Sequence, residues 1–101
     1  MQANSIFVTA CLDYIVQRED DDYRKMYGLL THNQAQVLRA IAMEKIVAAP
    51  TSTAFLKKYN LPAMSSVKRV IDFLKEKEYI YPTNDGYIIY DRFMAIWLQR
   101  L

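Results

Sequence analysis

Ser65, Ser66, Lys68 and Arg69 lie side by side in the stretch "NLPAMSSVKRVIDFL", interleaved with the apolar positions Val67, Val70, Ile71 and Leu74. Those apolar residues recur at helical spacing, so the hydroxyls and cations fall on the open side of one helix start. Free backbone amides at a helix start already attract anions, and Ser, Lys and Arg there can meet phosphate and base edges in a major groove. Lys57 and Lys58, at the end of the preceding apolar stretch, could add phosphate contacts, although lysines in a last helical turn are better explained by the helix dipole. Asp72 and Glu76 follow on the open face of the same helix and repel a polyanion, so only the first turn has the right chemistry. A solvated face of mixed charge accounts for the same pattern.

Other reactive types form poorer sets. His32 is the only histidine, beside a helix start, with no nucleophile at a recognisable spacing, which speaks against a catalytic role. Asp20, Asp21 and Asp22 are consecutive, so on a helix their carboxylates diverge and suit solvent better than a cation. Cys11 is the sole cysteine, which excludes an internal disulfide and a Cys-based zinc site. It falls in an apolar stripe and is expected to be a small buried hydrophobe. Neither a metal nor another cofactor is expected. Tyr79, Tyr81, Tyr87 and Tyr90 alternate along two strand-like segments and could stack on single-stranded bases. No cation lies between Tyr79 and Tyr90, which favours cross-strand packing instead.

The chain that must position these residues has 101 residues, 52% of them hydrophobic and 24% charged, with two glycines and three prolines. This is the composition of one small globular domain, with room for a modest core and little for an enclosed active site. The net charge of +2 is mild for a strong nucleic-acid binder. It is also uneven: residues 1–30 carry three basic and five acidic side chains, a balance of −2, whereas residues 31–101 carry ten and six, a balance of +4. No segment has the apolar length of a membrane span or the form of a signal peptide, and the lone thiol fits a reducing, cytoplasmic setting.

The apolar rhythm of Ile6, Phe7, Ala10, Cys11, Tyr14 and Ile15 predicts an amphipathic first helix. Acid-before-base pairs at Asp20/Arg24 and Asp21/Lys25 support its continuation, with Gly28 as a stop. Thr31 with Gln34 is a capping-box signature for a second helix buried through Val37, Leu38, Ile41 and Ala42, and Pro50 breaks it. Thr51 or Ser52 can cap a short helix over 52–59. Pro62 then makes a turn, and Ser65 or Ser66 can cap a helix over 65–77. "EYIYPT" and "GYIIYD" flank "NDG", a hairpin over 79–90 in which Asn, Asp and Gly tolerate positive φ. Asp91 caps the closing helix, whose apolar face includes Phe93 and Trp97.

The expected fold is therefore mainly α with a small β-hairpin, a winged helix-turn-helix, divided into an N-terminal amphipathic helix at 1–30 and a winged-helix domain at 31–101. The stripes carrying Ile6, Phe7 and Tyr14 at one end, and Phe93 and Trp97 at the other, either cover the core or pair with another copy of the chain or another protein.

From about residue 23 onward the chain also resembles a known family. Leu30, Thr31 and Gln34, the Ser65–Val67 triplet, and the closing Tyr90–Phe93 and Trp97–Leu98 carry a likeness to the C-terminal winged-helix domain of archaeal and bacterial AAA+-type P-loop ATPases. The resemblance implies an accessory domain that follows an ATPase module and engages a protein partner or nucleic acid. None of the matching residues is catalytic, and the chain contains no G-x-x-x-x-G-K-[ST] phosphate loop. A stand-alone DNA-binding transcriptional regulator is the alternative, reading duplex DNA through Ser65, Ser66, Lys68 and Arg69.

Overall fold

A computed structural model describes residues 2–101, with side chains from residue 7 onward. In chain order the elements are α1 (Gln2–Arg18), α2 (Asp20–Gly28), α3 (His32–Glu44), α4 (Thr53–Lys58), α5 (Met64–Glu76), β1 (Ile80–Thr83), β2 (Gly86–Ile89) and α6 (Arg92–Gln99). Two antiparallel strands and six helices, with α4 and α5 as the helix-turn-helix and β1–β2 as the wing, match the expected fold class.

Local signals fixed the starts of α3, α4 and α6. Thr31 Oγ1 accepts from Gln34 N–H at 3.2 Å while Gln34 Oε1 accepts from Thr31 N–H at 3.0 Å, the full capping box. Ser52, not Thr51, caps α4 by accepting from Phe55 N–H at 3.3 Å. Asp91 caps α6 through Phe93 N–H and Met94 N–H, at 2.9 and 3.2 Å.

Three expectations change. The first helix does not continue unbroken: Glu19, at φ −91 and ψ 2, separates α1 from α2. Of the two acid–base pairs expected there, Asp20–Arg24 forms at 2.8 Å, whereas no ion pair joins Asp21 to Lys25 among the described residues. Second, α3 ends at Glu44, well before Pro50, because Lys45 turns to φ 75 and sends the chain out as an extended segment. Val47 then pairs with Tyr87, giving N–H to O=C bonds of 3.0 and 2.8 Å, so β2 lies between β1 and Val47. Third, in the hairpin only Gly86 takes positive φ, at 139, while Asn84 and Asp85 do not. A Cβ at Gly86 would lie 2.5 Å from the Val47 carbonyl oxygen, so the close approach of Val47, as well as the turn, requires glycine.

The core runs through α3 (Val37, Leu38, Ile41), α5 (Val67, Ile71, Leu74), the wing (Ile80, Ile89) and α6 (Trp97, Leu98). Burying these side chains is the main driving force for a domain of this size. Tyr23 of α2 belongs to the same core and donates its hydroxyl proton to Asp91 at 3.1 Å. Burial, then the Asp91 charge, pushes the Tyr23 phenol well above its ordinary range.

The two terminal stripes separate. The closing helix turns its face inward, and Trp97, a candidate either to cover the core or to meet a partner, covers the core at only 5% exposure. Its indole N–H donates to Asp20 at 2.7 Å, and its ring lies 5.7 Å from those of both Tyr23 and Tyr27. Phe93 stays at the surface. The first stripe is not covered by the core: Phe7 and Tyr14 are 69% and 65% exposed, and Cys11, expected to be buried, is exposed as well. Among the described residues, the α1 side chain that enters the core is Val16, on the opposite side. The Ile6 side chain lies outside the described residues.

Candidate nucleic-acid interface

The turn into α5 is made by Asn60 at φ 53, by Leu61 and Pro62, and by Ala63 in an extended conformation, with φ −57 and ψ 152. Ala63 occupies the N-cap position, so the helix begins one residue earlier than expected and neither Ser65 nor Ser66 caps it. Pro62 keeps Leu61 out of helical geometry, and the chain becomes helical as soon as it has passed the extended Ala63. Alanine offers no side-chain acceptor, so the amides of the first turn have no cap. The helices α3, α4 and α6 each satisfy theirs with their own Thr31, Ser52 and Asp91.

Around this bare helix start, Ser65, Lys68 and Arg69 are exposed and Ser66 is half-buried. Among the described residues neither Lys68 nor Arg69 has an ion pair. Val67, Val70, Ile71 and Leu74 face the core, which holds the polar side outward. The carboxylates of Asp72 and Glu76 are exposed further along the same helix, as their spacing predicts.

Lys57 and Lys58 part company. Lys57 is exposed without an ion pair among the described residues, whereas Lys58 Nζ meets Glu44 Oε1 at 2.8 Å. Glu44 also accepts from the Tyr59 hydroxyl at 2.6 Å. The bonds from Lys58 and then Tyr59 hold the Glu44 carboxyl below its ordinary range, and the same contact with Glu44 raises the Lys58 amine. The positive charge of Lys58 is thus spoken for at the joint between α3 and α4.

The wing supplies no cation of its own, and its tip at Asn84 and Asp85 is exposed. A cation reaches it from α5, where Lys75 Nζ stands 5.6 Å from the centre of the Tyr87 ring. Tyr81 and Tyr90 meet edge to face at 5.4 Å, the packing their alternation predicts.

His32 lines an open groove of about 360 Å³ with Tyr27, Arg39 and Tyr59. Arg39 is already committed there: its guanidinium donates to the carbonyl oxygens of Leu98 at 3.4 Å and Leu101 at 2.6 Å, tying α3 to the chain end. Among the described residues no group of His, Cys, Asp and Glu could hold a metal ion, and no helix is long and apolar enough to cross a membrane. Spacing could not reveal the bare start of α5, since the serines there look like caps, or the pairing of Lys58 with Glu44.

Comparison with known proteins agrees with this architecture. A family model described as a probable winged helix domain matches residues 21–100, nearly all of the chain from α2 to the end of α6. No curated protein and no solved structure matches the chain.

Proposed function

Because the chain belongs to the family of probable winged helix domains, we propose that it is a non-catalytic binding module that engages the phosphate backbone of duplex DNA through the first turn of α5. The observation that carries this reading is the uncapped start of α5, flanked by exposed Ser65, Lys68 and Arg69 with no ion pair to neutralise the two cations among the described residues. Unsatisfied amides and the positive end of the helix dipole favour an anion there, and two free cations add to it. Asp72, Glu76 and the cation-free wing keep the contact short, so binding is weak and mostly independent of sequence. Such a module suits the cytoplasmic accessory domain of an AAA+-type ATPase, which adds DNA or partner contact to a motor located elsewhere. A P-loop ATPase segment encoded upstream in the same reading frame would support that placement.

The alternative is a stand-alone DNA-binding transcriptional regulator that reads base edges with the same residues. It would need strong discrimination between duplex sequences, which the acidic later turns of α5 oppose.

Titration of the chain onto a short duplex at several salt concentrations tests both readings. The expected result is weak binding that falls as salt rises, and Arg69→Ala weakens it on every sequence alike while lowering the salt slope by about one. Binding that ignores salt, or is untouched by Arg69→Ala, rules out the α5 contact. Tight binding to one sequence alone would favour the regulator.

A further inference from the structure

Among the described residues, the outer face of α1 from Phe7 to Tyr14 is apolar and uncovered. Phe7, Val8 and Tyr14 are large hydrophobic side chains standing in solvent, and Ala10 and Cys11 are exposed between the two aromatics. Phe7, Ala10, Cys11, Tyr14 and Ile15 line an open groove of about 440 Å³. The opposite side of α1 is already in use, with Val16 in the core and Asp13 bonded to Arg100 at 2.7 Å. We infer that this face is a self-association surface, occupied by α1 of a second copy of the chain in an antiparallel arrangement.

Three observations point to a second copy. The first is the spacing. Phe7 lies three residues before Ala10 and Tyr14 three residues after Cys11, so the face reads large, small, small, large in either direction. A two-fold contact presents the same patch from both partners and requires such self-complementarity. With the axis between Ala10 and Cys11, Phe7 lies beside Tyr14 of the second copy at both ends, and the small residues let the helices approach to about 8 Å at the crossing.

The second observation is charge. Asp13 is paired with Arg100, and Arg18 meets Glu19 at 3.5 Å, so the ionic groups bordering the face already have partners. Nothing charged is stranded when the face is covered. A polyanion or an anionic lipid surface would need a cluster of cations, whereas the one cation at this face among the described residues, Arg18, stands 5.9 Å over the Tyr14 ring and is shared with Glu19.

The third is area. An aromatic side chain can bury about 150–250 Å², so two aromatics at two-thirds exposure, with Val8, Ala10 and Cys11, remove on the order of 450 Å² per chain. The total of about 900 Å² falls below the standard size of a stable specific interface and in the range of weak, reversible association. This inference stands whether or not α5 binds DNA.

Sedimentation equilibrium of the full chain without DNA, from about 5 to about 500 µM, spans the dissociation constants suited to a contact of this size. The average mass is expected to rise with concentration toward twice that of one chain. Tyr14→Lys and Phe7→Lys, both at solvent-exposed positions, are expected to stay monomeric with an unchanged circular dichroism spectrum. A short bis-maleimide, which bonds one thiol at each end, should join two copies through Cys11, and Tyr14→Lys should abolish that product. A wild-type chain that remains monomeric throughout would overturn the inference and leave the face to a different protein. So would a dimer whose strength is the same in both lysine variants.

Discussion

α1 and α6 are both amphipathic by spacing, and both carry aromatic residues on the apolar face, yet they end in opposite environments. Trp97 of α6 is 5% exposed and Tyr14 of α1 is 65% exposed. The difference lies in what surrounds them. α6 is gripped by α3, α2, β2 and α1 together, and Asp20 receives the one polar atom of the Trp97 ring. α1 touches the body mainly along α6 and α2, so one narrow side suffices to attach it and the broader apolar face is left over. An apolar stripe shows that a helix has something to bury. Whether the same chain supplies the cover depends on geometry at long range.

This contrast can be broken by substitution. Trp97→Ala should have the largest effect, a loss of about 3–5 kcal/mol in stability to urea, because it empties a site shared by Tyr23, Tyr27 and Asp20. A loss below about 1 kcal/mol would show that α6 is not anchored as described. Asp91→Ala removes the α6 cap and the acceptor for the Tyr23 hydroxyl, and should lower stability by about 1–2 kcal/mol in the same measurement. Tyr14→Lys, measured where the protein is too dilute to associate, should change stability by less than about 0.5 kcal/mol, since its side chain touches little of the fold. A larger loss would mean that the outer face of α1 is part of the folded core after all.

Much of the architecture is legible in the sequence because it rests on neighbours a few residues apart. The Thr31–Gln34 box and the Ser52 and Asp91 caps are satisfied within three residues of where they are encoded, and the hairpin pairs residues of adjoining segments. The α5 start was half legible. Its apolar stripe and the exposure of Lys68 and Arg69 follow from spacing, while the serines beside them suggested a cap that the geometry at Ala63 does not use. Lys57 and Lys58 read alike in sequence, and only the position of Glu44, more than a dozen residues earlier, separates them.

Apart from the break at Glu19 and the end of α3, the amino-acid sequence on its own determined the order of helices and strands, most of their boundaries, and which side of α3, α5 and α6 is apolar, because those properties depend on backbone propensity and on side chains within a turn or two. Only the tertiary structure decided that α3 stops at Lys45 so that Val47 can pair with Tyr87, that Trp97 is sealed against Asp20, and that Cys11 and Tyr14 face solvent. Each of these joins residues tens of positions apart or depends on a surface that no other segment reaches, and such contacts form only where burial at long range outweighs the entropy of bringing the chain together.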